Sequence, residues 1–148
     1  MMHDDPYDLR RFADAQASDY ATALSEIKGG RKRSHWMWYV FPQLEGLGAS
    51  AMSRRYSVKS VAEADAYLRD PVLGARLREC AQAVLDVDGR SANDIFGSPD
   101  DLKLRSCATL FAHVSGEGSV FHRIIDKYFG GRRDDRTMQL IDRAPTGH

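Results

Sequence analysis

The chain of 148 residues is short of several things, and each shortage narrows what it can be. It has only two cysteines, Cys80 and Cys107, in neither a CxxC motif nor a metal-ligand spacing. That argues against a disulfide scaffold and against a zinc site. Both fall inside amphipathic helical patterns, where a small buried thiol is the expected role. There is no surplus of charge: 21 Lys and Arg balance 21 Asp and Glu. Nucleic acid and anionic membranes are therefore disfavoured as partners. No stretch approaches the roughly 20 apolar residues of a membrane span. Met1-Met2-His3-Asp4-Asp5 is acidic and has no apolar run, unlike a signal peptide. A cytoplasmic protein is expected. Also missing are HExxH, an EF-hand loop, GxSxG and the Gly-rich loops that cradle phosphates. No metal and no cofactor is expected.

Strand signals are scarce too, since few segments alternate apolar and polar residues and β-branched runs are absent. What is present is punctuation for helices. Asp5-Pro6 introduces a helix carrying Leu9, Phe12, Ala13 and Gln16. Ser18 could cap a continuation through Tyr20, Leu24 and Ile27, which Gly29-Gly30 stops. Pro42 limits the next segment to a short helix. Ser50 caps a short helix through Tyr56, and Ser60 with Glu63 spells a capping box for a helix to about Arg69. Asp70-Pro71 opens a helix with Leu73, Leu77, Cys80, Ala81, Val84 and Leu85 on its apolar stripe, ended by Gly89. Ser91 caps a turn to Phe96. Ser98-Pro99-Asp100-Asp101 opens a long helix. Val120 to Phe129 and about Asp135 to Asp142 complete the series, with Met138 and Ile141 facing inward and Asp134-Asp135 as the cap. The residues from Ala144 onward are expected to form a loose tail. The pattern predicts one all-α domain of seven to nine short helices, spanning residues 1–148, with no linker or repeat.

The most unusual stretch runs from Gly30 to Leu44 and sets Arg31, Lys32, Arg33 and His35 against Trp36, Trp38, Tyr39 and Phe41. Two readings of it stand side by side. The cations suit the negative end of the preceding helix, and the aromatics suit a core. Alternatively, Arg31, Lys32 and Arg33 clamp an anion beside glycine backbone that permits close approach. Trp36 and Trp38 would then pack on a ring. His35 is a candidate acid or base, or a hydrogen-bonded residue at a core edge. Gln43, after Pro42, must find a partner if buried.

A second constellation lies in Phe96–Ser106. Asp100, Lys103 and Ser106 are neighbours at helical spacing, with Asp101 beside them. An ion pair there on the surface means little. Lys103 lies between Leu102 and Leu104 on a helix expected to be largely buried, where a lysine beside a carboxylate becomes a candidate ligand or proton-transfer group.

The ordered set GRKRSHWMWYVFPQL, GLG with a following serine, DPVLGARLREC, IFGSPDDLKLRS and TLF resembles the DUF1810 family from about Asp8 to Leu140. The resemblance implies a compact, all-helical single domain and brings no established activity. Some members carry the label calpastatin, but the extended disordered repeats of a protease inhibitor are absent here. The helices DPVLGARLREC and KLRSCATLF are also similar to the NADAR group, which processes ADP-ribose-type compounds as N-glycosidases. That group's acidic SEHYFQA-like segment has no counterpart here, so no catalytic residue carries over.

The expectation is a cleft for an anionic, ring-containing small molecule, a nucleotide or ADP-ribose-like compound, with hydrolysis of an N-glycosidic bond as its strongest form. Ligand-binding candidates are Arg31, Lys32, Arg33, His35, Trp36, Trp38, Gln43, Asp100, Asp101, Lys103 and Ser106. Catalytic candidates are His35, Asp100 and Lys103. The alternative is a non-enzymatic protein–protein interaction domain, which an exposed Trp36 and Tyr39 would favour. Everything depends on whether the 31–43 and 97–106 segments meet in space.

Overall fold

Polar caps and glycine stops translate almost one for one into helices in the computed structural model, which describes residues 5–143. The helices are α1 (Arg10–Lys28), α2 (Met37–Val40), α3 (Ala51–Tyr56), α4 (Val61–Arg69), α5 (Leu73–Leu85), α6 (Ala92–Phe96), α7 (Asp100–Ser115), α8 (Val120–Phe129) and α9 (Asp135–Arg143). Among the described residues the only sheet-like element is a single parallel bridge, Leu44 to Val58. The chain is all-α, as its pattern predicts. Residues 1–4 of the acidic N-terminal stretch and the tail from Ala144 lie outside the described residues.

The caps form where the side chains allow them. Ser50, Ser60, Ser91 and Ser119 each accept a hydrogen bond from a first-turn amide. Asp134 accepts from the Thr137 amide at 2.9 Å and so starts α9. Gly130, at φ +61°, closes α8 in the left-handed conformation.

Three expectations need correction. α1 is one uninterrupted helix, and Ser18 is an exposed interior residue rather than a cap. The Ser60–Glu63 box is only half formed. Ser60 caps the Glu63 amide at 3.0 Å, but the Glu63 carboxylate turns to the Lys59 amide at 3.2 Å and to Arg11 at 2.8 Å. α5 ends at Leu85, short of Gly89, and the Lys127 ammonium donates to the Leu85 and Val87 carbonyls at that end.

α7 is central and packs against α4, α6, α8 and α9, while α5 lies between α1, α4 and α8. One aromatic file crosses the middle. Phe12 meets Tyr67 at 5.1 Å, Tyr67 meets Phe111 at 5.5 Å and Phe111 meets Phe121 at 5.6 Å. A second aromatic group, Trp36, Phe41 and Phe96, has ring centroids 5.9–6.4 Å apart in tilted and edge-on arrangements. This group fastens the Gly30–Phe41 segment to α6 and so fixes where the cations before it emerge. Cys80 and Cys107 are both free and buried.

Candidate functional site

The loop between α1 and α2 is organised by one carboxylate. Glu26 accepts from the Arg33 amide at 2.8 Å, the Ser34 amide at 2.9 Å, the Ser34 hydroxyl at 2.6 Å and the Trp36 indole N–H at 2.9 Å. Burial alone would raise its pKa. The Ser34 hydroxyl, the two amides and the indole outweigh burial and hold the carboxyl at about 2. The Lys32 amide donates to the Ile95 carbonyl at 2.7 Å and stitches this loop to α6.

From that fixed loop the Lys32 side chain reaches α7. Its ammonium lies 2.9 Å from one Asp100 oxygen, and Lys103 lies 3.5 Å from the other. The Lys32 side chain is 8% exposed and that of Asp100 19%. Lys32 also sits 5.2 Å from the Trp36 ring, and Lys103 sits 5.2 Å from that of Trp38. The 31–43 and 97–106 segments therefore do meet, through one carboxylate held between two lysines.

Beside this cluster an open cleft of about 410 Å³ is lined by Arg31, Lys32, Arg90, Asn93, Asp94, Ile95, Phe96 and Gly97. The Arg90 side chain lies against Gly30, which has φ +81°. A Cβ there would lie 3.0 Å from Nε of Arg90 and 3.2 Å from its Cδ. A side chain at this positive φ would be strained and would also push the Arg90 stem aside. Arg31 and Arg90 are both exposed side chains at this cleft.

Asp94 joins the cleft from α6. Its Oδ2 accepts from the Ser91 amide at 2.9 Å while the Ser91 hydroxyl accepts from the Asp94 amide, a complete capping box. The bonds with Ser91, and after them the charge of Arg90, hold the Asp94 carboxyl below the usual range. Asn93 donates its amide to Asp101 at 3.2 Å and ties α6 to the first turn of α7.

The model of the DUF1810 family, described as a protein of unknown function, matches residues 6–141. The chain belongs to the DUF1810 family. It is similar to the crystal structure of the conserved hypothetical protein Rv1873 from Mycobacterium tuberculosis, at 50% identity and a TM-score of 0.93. That match covers 95% of this chain and 100% of the other. No match was found among curated proteins.

In this DUF1810 chain the candidate residues fall into three groups. Arg31 and Lys32 line the cleft, and Arg33 shares a neighbouring surface depression with them. Asp100 and Lys103 join Lys32 in the ion cluster but do not line the cleft. The remaining candidates serve other ends. Trp36 is 1% exposed and donates its indole N–H to Glu26, so it is a core residue with no face open to a ligand ring. Trp38 is half-buried beneath Lys103. Ser106 is buried and donates back to the Leu102 carbonyl at 3.1 Å. Asp101 is the acceptor for Asn93. Gln43 contributes its carbonyl to the Val58 amide at 2.8 Å in the parallel bridge and does not line the cleft. His35 is exposed, and its carbonyl accepts from the Tyr39 hydroxyl at 3.3 Å. The helix carrying Lys103 is less enclosed than its sequence suggests, because Leu102 is 53% exposed.

The sequence reading missed Arg90, Asn93 and Asp94. A faint signal was available: Arg90 follows a glycine and immediately precedes a serine cap, which places a guanidinium at a helix entrance. Among the described residues no group of three or more His, Cys, Asp or Glu side chains could hold a metal ion. No helix there is long and apolar enough to cross a membrane.

Proposed function

We propose that this chain binds an anionic small molecule bearing a phosphate or comparable group in the cleft between the α1–α2 loop and α6. The observation that carries the reading is that two exposed arginines, Arg31 and Arg90, line one open cleft together. Guanidinium groups present planar donor forks matched to phosphate and carboxylate oxygens. Lys32 adds a third positive charge, tempered by Asp100.

Nucleotides and ADP-ribose-like compounds fit the charge of such a cleft. Hydrolysis of an N-glycosidic bond draws less support. A hydrolase of that kind needs a group that can give a proton to the leaving base. Both Asp100 oxygens face ammonium groups, and Asp101 receives the Asn93 amide. Asp94, the carboxyl that does line the cleft, is held below the usual carboxylate range by its bonds with Ser91 and so serves as an acceptor rather than an acid. The protein–protein alternative also draws less support, since Trp36 and Tyr39, its expected anchors, are 1% and 6% exposed.

The test is thermal unfolding of the wild-type chain with pyrophosphate, inorganic phosphate, AMP and ADP-ribose. A ligand held only by the folded chain stabilises it by about 2.7 kcal/mol at a hundred times its Kd. An upward shift in Tm with at least one of these anions, lost in Arg31→Ala and in Arg90→Ala, is expected. No shift with any of them would overturn the reading.

A further inference from the structure

We propose that the cleft recognises a phosphorylated sugar, with Arg31 and Arg90 on the phosphate and Asp94 accepting hydrogen bonds from the sugar hydroxyls. The inference rests on the anion-cleft reading and names the class of its ligand.

The starting point is a carboxylate where a bare anion would be repelled. Arg31, Lys32 and Arg90 are the cations of the cleft, and Asp94 shares its lining. A simple anion held by the arginines gains nothing from Asp94 and is opposed by its charge. A ligand carrying both an anion and hydroxyl donors meets two complementary charges at once, as phosphate oxygens face guanidinium donors and hydroxyls face an acceptor. The acceptor is fixed in advance. Oδ2 is tied to the Ser91 amide, so the capping box sets the side chain. Among the described residues Oδ1 takes no hydrogen bond from the protein. Asn93 repeats the pattern: its amide nitrogen goes to Asp101, which leaves its carbonyl oxygen as a further acceptor. The two loops thus supply cations and α6 supplies acceptors.

The apolar side of the cleft points the same way. Phe96 is 6% exposed and Trp36 1%. A flat base finds no open aromatic face to stack on, so recognition falls to the sugar and its phosphate. That pair occurs in a free sugar phosphate and in the ribose phosphate of a nucleotide.

Calorimetric titration of the full chain with ribose 5-phosphate, AMP, inorganic phosphate and ribose separates these cases. Ribose 5-phosphate is expected to bind at least about tenfold tighter than inorganic phosphate, since a hydrogen bond to a charged acceptor is worth that much. In Asp94→Asn the advantage of ribose 5-phosphate should largely vanish, while inorganic phosphate binds as well as before or better. Asparagine keeps the side-chain oxygen that caps Ser91, and an unchanged circular dichroism spectrum checks that the fold is retained. AMP as tight as ribose 5-phosphate places the sugar phosphate within a nucleotide; weaker AMP places it in a free sugar phosphate. Either result supports the inference when Asp94→Asn abolishes the advantage. Equal binding of ribose 5-phosphate and inorganic phosphate by the wild type, or an advantage that persists in Asp94→Asn, would overturn the sugar assignment and leave the anion cleft standing. Failure of every phosphate to bind would remove both.

Discussion

Two places among the described residues bring arginine or lysine to a carboxylate away from open solvent, and they use the charge differently. At the first, Arg11 is 8% exposed and Glu63 1%. The guanidinium donates to five acceptors: the carbonyls of Tyr7, Asp8, Arg55 and Ser57, and the Glu63 carboxylate at 2.8 Å. Its planar fork fastens the start of α1, the end of α3 and the start of α4 into one knot. At the second, Lys32, Asp100 and Lys103 form a looser cluster, and Arg31 and Arg90 stand beside it at an open cleft. The first site consumes its donors in holding the chain together. The second keeps guanidinium groups at an open surface, the condition for receiving something from outside. Cationic residues alone do not distinguish the two; what their N–H groups already hold does.

The comparison breaks most visibly at Arg11. Arg11→Ala strands a buried carboxylate and four backbone carbonyls, and losing one partner of a buried pair costs about 3–5 kcal/mol. Denaturant unfolding should show that loss in a shifted midpoint. A change below about 1 kcal/mol would mean that water reaches the knot and that Arg11 is not its centre.

Glu26 comes next. Glu26→Ala leaves the buried Trp36 indole N–H without its acceptor and loosens the loop that presents Arg31, a loss of about 2 kcal/mol at neutral pH. The pH dependence has a definite sign. The folded pKa, about 2, lies below the ordinary 4.5, so the contribution is fully present above pH 4.5 and disappears as pH falls toward 2. The stability difference between wild type and variant should therefore shrink over that interval. A constant difference across it would show that the hydrogen bonds to Glu26 do not depend on its charge.

Smaller effects are expected within the Lys32 cluster, and they rank by burial. Lys32→Met should cost about 1 kcal/mol and Lys103→Met roughly half of that, because Lys103 is more exposed and farther from Asp100. The reverse order in thermal unfolding would mean that Lys103, not Lys32, links the two segments.

The sequence made helix ends legible because capping is local chemistry. Ser50, Ser91 and Asp134 act within three residues of where they stand, and the glycine after Phe129 does the same. The aromatic density of residues 36–41 was legible as well, but not its direction. Whether Trp36 faces a ligand or the core depends on Phe96, sixty residues further on, and on Glu26 in the preceding helix. The meeting of Lys32 with Asp100 and of Arg11 with Glu63 was invisible for the same reason. A salt bridge across the fold leaves no periodicity in the chain. Arg90 escaped notice because it meets Gly30 and Arg31 only across the fold. Long-range partners assemble the candidate site, and local pattern sets the helices.

The sharpest form of the comparison lies in the smallest stability effect. Arg31 is exposed, and removal of an exposed side chain that holds nothing else usually changes stability by no more than about 0.5 kcal/mol. Arg31→Ala should therefore unfold with the wild type in the absence of ligand and yet lose the stabilisation that pyrophosphate confers. Arg11→Ala should do the opposite: it lowers the baseline Tm while the surviving folded fraction still responds to pyrophosphate. Measured side by side, the two variants separate a guanidinium that holds the fold from one that awaits a ligand. If Arg31→Ala lowered the baseline as far as it lowered the ligand response, Arg31 would be another structural cation, and the distinction between the two sites would collapse.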